Sequence, residues 1–237
     1  MGFIDIHSHI LPGVDDGAKT IDDSIDLLRQ EKENDVTSVV LTPHFYPDYD
    51  TFDDHYNHIL TAFNTLKKEC EGKDLPDIYL GSEVQYFTGI SHCEILDKLC
   101  ISGTNYLLLE LPFLTPITPT MLEEVKRIDR DLGITVIIAH IERYCNDRLF
   151  KKLIDLVKNG DIKAQINADS VFHPVFQKPI FKLLKKGIIS YIASDTHSVK
   201  ERPVLIKDSI SFLKQKYYPQ VIQCLKNSEK LEQLLKG

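Results

Sequence analysis

The sequence predicts an α/β fold, either a barrel or a doubly wound sheet, and three observations predict it. Seven short runs rich in Val, Ile and Leu recur along the chain, separated by longer amphipathic stretches. Most of the runs are apolar without alternation, as expected of strands buried on both faces of a parallel sheet. Gly133, Gly160 and Gly187 each follow an amphipathic stretch and precede an apolar run, the place of a glycine that ends a helix. Strand, helix, strand repeated this often implies a parallel α/β architecture.

Taken in order, the first strand is predicted at Phe3–Ile6 and runs into Asp5-Ile6-His7-Ser8-His9. Thr20 is placed to cap a helix whose apolar face is Ile21, Ile25 and Leu28, with Asp22 and Asp23 favourably sited in its first turn. A strand at Ser38–Thr42 ends in Thr42-Pro43-His44, and a helix is expected over Phe52–Glu71. The strand at Ile78–Gly81 closes on Gly81-Ser82-Glu83, and Tyr106–Leu111 carries Glu110 near its end. A helix at Thr120–Asp131 precedes a strand at Thr135–Ala139, which runs into His140-Ile141-Glu142-Arg143. A helix at Arg148–Lys158 leads to a strand at Ala164–Asn167. Another helix, Val175–Lys186, leads to a strand at Ile188–Ala193, followed by Ser194-Asp195-Thr196-His197 and a helix at Val204–Gln215. No linker, low-complexity tract or internal repeat divides the 237 residues, so one domain over 1–237 is expected.

What ends the strands carries the chemistry. In an α/β barrel the active site lies at the C-terminal ends of the strands, where residues distant in sequence converge. Six of the seven strands deliver a His, Asp or Glu there. Each has a bland alternative: the H-x-H could be polar loop residues, Glu83 or Glu110 a paired structural carboxylate, and Asp195-Thr196-His197 a turn with a helix cap. Together they mean more, because several carboxylates and imidazoles in one mouth are electrostatically costly without cations. Mixed imidazole and carboxylate ligation without thiolates suits manganese, iron, zinc or magnesium. Two neighbouring ions can generate a hydroxide nucleophile at neutral pH and clamp a transferring phosphoryl group. Arg143 and Arg202, close after His140 and His197, are the candidate phosphate ligands, since guanidinium matches phosphate oxygens in a forked geometry. Their alternative is a surface ion pair.

Other residues narrow the choice. His55, His58, His92 and His173 fall in helical or loop segments and are expected at the surface. Phe45, Tyr46 and Tyr49 could wall a substrate pocket or cover the barrel mouth. None of the five cysteines is followed by arginine six positions later, so the phosphate-binding loop of cysteine-dependent phosphatases is absent and a thiolate nucleophile is disfavoured. Their odd number, without a C-x-x-C pair, is read as that of a reduced, cytoplasmic protein. A formal charge of -7 argues against long nucleic acids as partners. No opening segment reads as a secretory signal, and no apolar run is long enough to cross a bilayer.

The ordered set D-I-H-S-H-I-L-P-G-V-D-D-G, T-P-H, G-S-E, L-L-L-E, A-H-I-E-R-Y and A-S-D-T-H resembles the polymerase and histidinol phosphatase (PHP) superfamily from Ile4 to about Pro203. The opening block and I-A-H-I-E-R-Y resemble more narrowly its CpsB/YwqE branch of bacterial tyrosine-protein phosphatases. That resemblance implies a distorted (β/α)7 TIM-like barrel with three divalent ions, manganese foremost and iron, zinc or magnesium as alternatives. The first ion would be held by His7, His9, Glu83 and Asp195, the second by Glu83, Glu110 and His140, and the third by Asp16, His44 and His197. Spacing from His9 selects Asp16 over its neighbour Asp15. Arg143 and Arg202 match the phosphate-binding arginines, and the leaving oxygen could be protonated by His44 or by a metal-bound water. The implied substrate is a phosphotyrosine-bearing tail of a bacterial tyrosine kinase tied to capsular or exopolysaccharide synthesis. Three rivals share parts of this pattern: a histidinol-phosphate phosphatase, a nucleotide phosphoesterase and a non-enzymatic module that keeps structural metals.

Overall fold

The computed structural model describes residues 3–47 and 51–237. Among the described residues every strand ladder is parallel, and the arc of strands follows chain order. One sheet joins β1 (Phe3–Ser8), β2 (Val36–Leu41) and β4 (Asp77–Leu80). The other joins β3 (His44–Phe45), β5 (Glu83–Gln85), β6 (Tyr106–Glu110), β7 (Thr135–Ile138), β8 (Lys163–Asn167) and β9 (Tyr191–Ala193). The two sheets are one wall. Thr42-Pro43 interrupts the line from β2 to β3, and Gly81-Ser82 the line from β4 to β5; Pro43 lacks an N–H to donate to a ladder. The seam closes between the first and last strands: Asp195 N–H donates to His7 O (2.9 Å) and His9 N–H to Thr196 O (2.9 Å). Seven strand positions therefore curl into a distorted barrel, and the doubly wound alternative does not apply.

Apolar residues on both faces explain the continuous runs. Ile4, Ile6, Val40, Leu108, Ile137, Ala139, Tyr191 and Ala193 form one buried cluster inside the barrel. Their neighbours Val39, Leu41, Leu107, Leu109, Val136, Ile138 and Ile192 join the larger cluster under the helices. β8 breaks the pattern: Ala164 and Ile166 pack outward, while Gln165 and Asn167 are buried without an apolar partner role. β1 also departs from it. Asp5 opposes Val39 and Ser8 opposes Leu41, so β1 carries one extra residue there. Such a bulge re-aims side chains: Asp5 faces Glu31 through Ser194, whereas His7 and His9 both enter the polar cluster at the mouth.

Helices cover the wall. Thr20 caps α1 (Ile21–Glu33) in a capping box with Asp23, a contribution of about 1 kcal/mol. α2 (Phe52–Cys70), α3 (Pro119–Leu132), α4 (Phe150–Asn159) and α5 (Pro174–Lys185) lie within a residue or two of their expected bounds. Gly133 and Gly160 end α3 and α4 in the left-handed conformation, and Gly187 adopts it one residue beyond the cap of α5. The last helix differs from expectation. α6 runs over Ile206–Lys236, kinked at Tyr217 just before Pro219, instead of stopping at Gln215. Its second half closes the barrel floor: Leu231 is buried in the interior cluster, worth about 2 kcal/mol, and Glu232 accepts from Thr37 and Ser38 at the start of β2. No described helix is long and apolar enough to cross a membrane.

Candidate metal centre

The opposite end of the barrel collects the predicted ligands. His7 Nε2 lies 3.3 Å from His9 Nε2, 3.3 Å from Glu83 Oε2 and 3.5 Å from Asp195 Oδ1. His9 Nε2 is 3.2 Å from the same glutamate oxygen and 3.4 Å from the same aspartate oxygen. Two ring nitrogens and two carboxylate oxygens thus face one point. Glu83 extends the cluster: its Oε1 is 3.0 Å from His140 Nε2, which lies 3.4 Å from Glu110 Oε1. At the outer edge, Asp16 Oδ1 is 3.3 Å from His197 Nε2 and 3.5 Å from His44 Nε2, and His44 Nδ1 is 3.0 Å from Glu83 Oε2. All nine sequence-predicted ligands are in this one network. Three overlapping groups have ligand atoms close enough to share an ion: His9, Asp16, His44 and His197; His7, His9 and Asp195; and His44, Glu83 and Glu110.

These spacings fit a divalent ion. Metal–ligand bonds of about 2.1 Å at tetrahedral or octahedral angles put neighbouring donor atoms about 3.0–3.4 Å apart. The opposed Nε2 atoms of His7 and His9 cannot both carry protons at 3.3 Å, and a shared cation satisfies both lone pairs. Backbone strain points to the same place: His140 (φ 31°) and Asp195 (φ 52°) are left-handed although neither is glycine. Such conformations cost roughly 1–3 kcal/mol and collect at functional sites.

Charge balance in the cluster rests on shared protons when no ion is bound. Burial opposes charge on Glu83 and Asp195, yet the surrounding imidazoles, His7 first, hold both carboxyls well below the usual range. Burial likewise disfavours a charged His9, but Asp15, Asp195 and Glu83 outweigh it and keep that ring well above the usual histidine range. His44 is pushed up to about 9 because Asp16 and Glu83 outweigh its burial, and His140 to about 9 because Glu110 and Glu83 do. His197 is the exception, lowered by burial.

A second layer orients the ligands, and most of it carries no motif in the sequence. Asp15, the neighbour of the expected ligand Asp16, accepts from His9 Nδ1 at 2.7 Å and from the backbone N–H of His44 at 3.2 Å, so it fixes the His9 ring and the His44 main chain rather than joining the inner cluster. Asp195 O receives His197 Nδ1–H at 2.9 Å. Beneath the seam, Asp5 and Glu31 share Ser194: its Oγ lies 2.5 Å from Asp5 Oδ2 and 3.3 Å from Glu31 Oε1. Burial raises both carboxyls, Glu31 the further because Asp5 lies beside it. Polar residues inside predicted apolar strands, Asp5, Gln165 and Asn167, were the available signal.

Arg143 and Arg202 meet at the rim. Arg143 Nη2 donates to Asp195 Oδ2 at 2.9 Å, Arg202 Nη2 forms an ion pair with the same oxygen at 2.7 Å, and Arg143 Nη1 is 3.8 Å from Glu110. Their side chains are 28% and 37% exposed, so both reach solvent beside the cluster and neither forms a remote surface pair. A cavity of about 500 Å³ opens on one side of Asp16 along His44, Tyr46, Asp54 and His58; one of about 670 Å³ opens on the other along Lys19, His197 and Arg202. Tyr46 stacks on His44 at 4.9 Å, whereas Phe45 is buried; Tyr49 lies outside the described residues. Of the histidines expected at the surface, His58, His92 and His173 are exposed, His173 also capping α5. His55 instead is buried against the edge of Phe45, because its helix packs that face over the mouth. All five cysteines are free.

Known proteins resemble this chain in sequence and fold. The pattern of the family described as capsular polysaccharide synthesis, CpsB/CapC, matches residues 3–233. CapC of Staphylococcus aureus is 33% identical over 237 aligned residues, covering 95% of this chain and 89% of that protein. The tyrosine-protein phosphatase CpsB of Streptococcus agalactiae is 28% identical, covering 89% of each, and the tyrosine-protein phosphatase YwqE of Bacillus subtilis is 27% identical, covering 90% and 85%. Among solved structures, one from work on Bacillus subtilis YwqE and Streptococcus pneumoniae CpsB, described as unique metal-dependent tyrosine phosphatases, superposes with a TM-score of 0.77 at 24% identity over 95% of both chains. A histidinol phosphate phosphatase from Lactococcus lactis shares the fold at a TM-score of 0.57 and 15% identity, over 91% of this chain and 93% of that one. With the family pattern matched over residues 3–233 and a relative 33% identical across 95% of the chain, the chain belongs to the CpsB/CapC family of capsular polysaccharide synthesis proteins.

Proposed function

We propose that the protein is a metal-dependent, cysteine-independent tyrosine phosphatase. Its substrate would be a phosphotyrosine-bearing tail of a bacterial tyrosine kinase that controls capsular or exopolysaccharide synthesis, in the cytoplasm. The observation that carries the reading is the pairing of a buried imidazole–carboxylate cluster with two half-exposed arginines, Arg143 and Arg202, converging on Asp195 at its rim.

Three divalent ions, manganese foremost, would be held by three donor sets: His7, His9, Glu83 and Asp195; Glu83, Glu110 and His140; Asp16, His44 and His197. Bound there, they would supply an activated water and Lewis-acid neutralisation of phosphoryl charge. The chain's own residues do the rest. Arg143 and Arg202 turn their free guanidinium donors to the phosphoryl oxygens, orienting the group and stabilising its charge in the transition state. A ligating His44 is a neutral imidazole whose remaining N–H is a far weaker acid than an imidazolium, so ligating a metal and protonating the leaving oxygen are competing roles; we place it among the ligands. The phenolate departs readily because its parent phenol has a pKa near 10. The clefts on either side of Asp16 give an extended peptide room to run past the cluster.

Turnover of a phosphotyrosine peptide, histidinol phosphate and a nucleotide by manganese-loaded protein tests the assignment. Preference for the peptide, abolished by chelation and by Glu83→Ala, is expected. Cleavage of either other substrate alone would keep the scaffold and overturn the substrate class.

A further inference from the structure

We propose that Gln165 and Asn167, on β8, which is followed by no ligand, are positioning residues that set the tautomer of His7 and the orientation of Asp195. The inference rests on reading the cluster as a metal centre.

The hydrogen bonds fix every proton in the relay. Gln165 Oε1 accepts from the backbone N–H of His140 at 2.7 Å, so that atom must be the amide oxygen. His7 Nδ1 lies 3.3 Å from the same oxygen, which has no hydrogen to give. His7 therefore carries its proton on Nδ1 and leaves the Nε2 lone pair aimed at His9, Glu83 and Asp195. Gln165 Nε2 then donates to Asn167 Oδ1 at 2.9 Å, which turns the Asn167 amide nitrogen to Asp195 Oδ2 at 2.5 Å. Asn167 is itself pinned, because its backbone N–H donates to the buried Glu142 Oε1 at 3.1 Å.

Two consequences follow for the site. The carboxylate of Asp195 is divided: Oδ1 faces the imidazoles, and Oδ2 receives Asn167 and both arginines. When Arg143 and Arg202 swing towards a phosphoryl group, Asn167 still satisfies Oδ2 and keeps Oδ1 turned inward. The contact to His140 N–H also steadies a ligand whose backbone is left-handed. Gln165 and Asn167 are almost fully buried, so water cannot substitute for either amide.

Zinc affinity, measured by competition with a chromophoric chelator, reads this directly and does not depend on catalysis. Gln165→Met keeps the volume and removes the acceptor; it should weaken zinc binding about 10- to 100-fold. Gln165→Glu keeps an acceptor for both N–H groups but gives up the Nε2 donor to Asn167 Oδ1, so it should restore the part of that affinity carried by His7 and His140 and not the part carried by Asp195. Unchanged affinity in Gln165→Met, or a Gln165→Glu variant as weak as Gln165→Met, would overturn the relay. A purely structural role would lower both variants' melting temperatures without this split. Should Gln165→Met fail to fold, histidine-ring nitrogen spectra of the zinc-loaded wild type decide the matter: a proton on His7 Nδ1 is required, and one on Nε2 refutes the proposal. Zinc binding with the expected pattern but no phosphotyrosine turnover would sink the proposed activity and leave the relay standing.

Discussion

Replacing Gly17 by alanine should disable the centre through a contact with backbone. A Cβ at Gly17 would sit 2.0 Å from His9 O, 2.5 Å from His9 Cβ and 2.8 Å from His9 C. Unstrained carbon–carbon contacts are about 3.5–4.0 Å, so the two segments must separate by about 1 Å. Neither can yield locally. His9 O already accepts from Ala18 N–H at 2.9 Å, and Ala18 O accepts from Gly13 N–H at 2.8 Å, which zips the loop onto the end of β1. Gly17 N–H also donates to Asp15 Oδ1, whose other oxygen holds His9 Nδ1. Moving the loop carries Asp16 away from His44 and His197, and moving β1 carries His9 from Glu83. Overpacking of this size costs about 1–3 kcal/mol in stability, and a misplacement of about 1 Å costs about 10²-fold in rate. Phosphotyrosine turnover at saturating manganese, with melting temperature and bound-metal content, measures both parts. Gly72→Ala is the control: its left-handed backbone (φ 72°) strains an alanine, but nothing lies within 4 Å, so only stability should fall. A Gly17→Ala enzyme with wild-type metal content and turnover within about threefold of wild type would refute the steric argument.

Further expectations concern charge. Arg143→Ala should lower kcat/KM on a phosphotyrosine peptide by about 10²-fold, with a similar direction for Arg202→Ala. The double variant should fall short of the product of the two losses, because both side chains hold one phosphoryl group and share one Asp195 oxygen; simple multiplication would contradict that coupling. Metal affinity should rise with pH up to about 9, since His44 and His140, held up to about 9, and His9, held well above the usual range, must lose protons to ligate; chelator competition at three pH values up to about 9 checks it, and a flat profile would count against them as ligands. Glu31→Gln should flatten the fall in metal-free stability between acid and alkaline pH. Burial and Asp5 keep Glu31 protonated in the fold while the unfolded chain releases that proton above about 4.3, so its stabilisation is present at low pH and lost as pH rises. Urea midpoints of both proteins at pH 5 and 8 give the comparison, and equal slopes would show that Glu31 is not the buried proton carrier.

The legibility of this site follows from how barrels are built. Each strand that leaves the sheet at the mouth exposes one or two side chains to a common point, so ligands from β1, β6, β7 and the turn after β9 are marked by where an apolar run stops. That logic reaches His7, His9, Glu110, His140, Asp195 and His197, and also His44 and Glu83, although these last two stand on short strands hidden beyond Pro43 and Gly81. It fails for Asp16, which arrives on a loop zipped to His9 by backbone bonds that leave no pattern of side-chain types; only resemblance supplied it. It fails for the supporting layer for another reason. Gln165 and Asn167 occupy inward positions on β8 that packing alone would fill with Ile or Val, and a buried amide stands there only if its partners are already in place. Those partners come from β1, the segment after β7 and the segment after β9, which a sequence cannot bring together without the closed barrel. Polar residues at apolar stations of a double-sided strand are thus the trace that a second layer leaves in a sequence, and in this chain Asp5, Gln165 and Asn167 all occupy such stations and all contact the ligand-bearing segments.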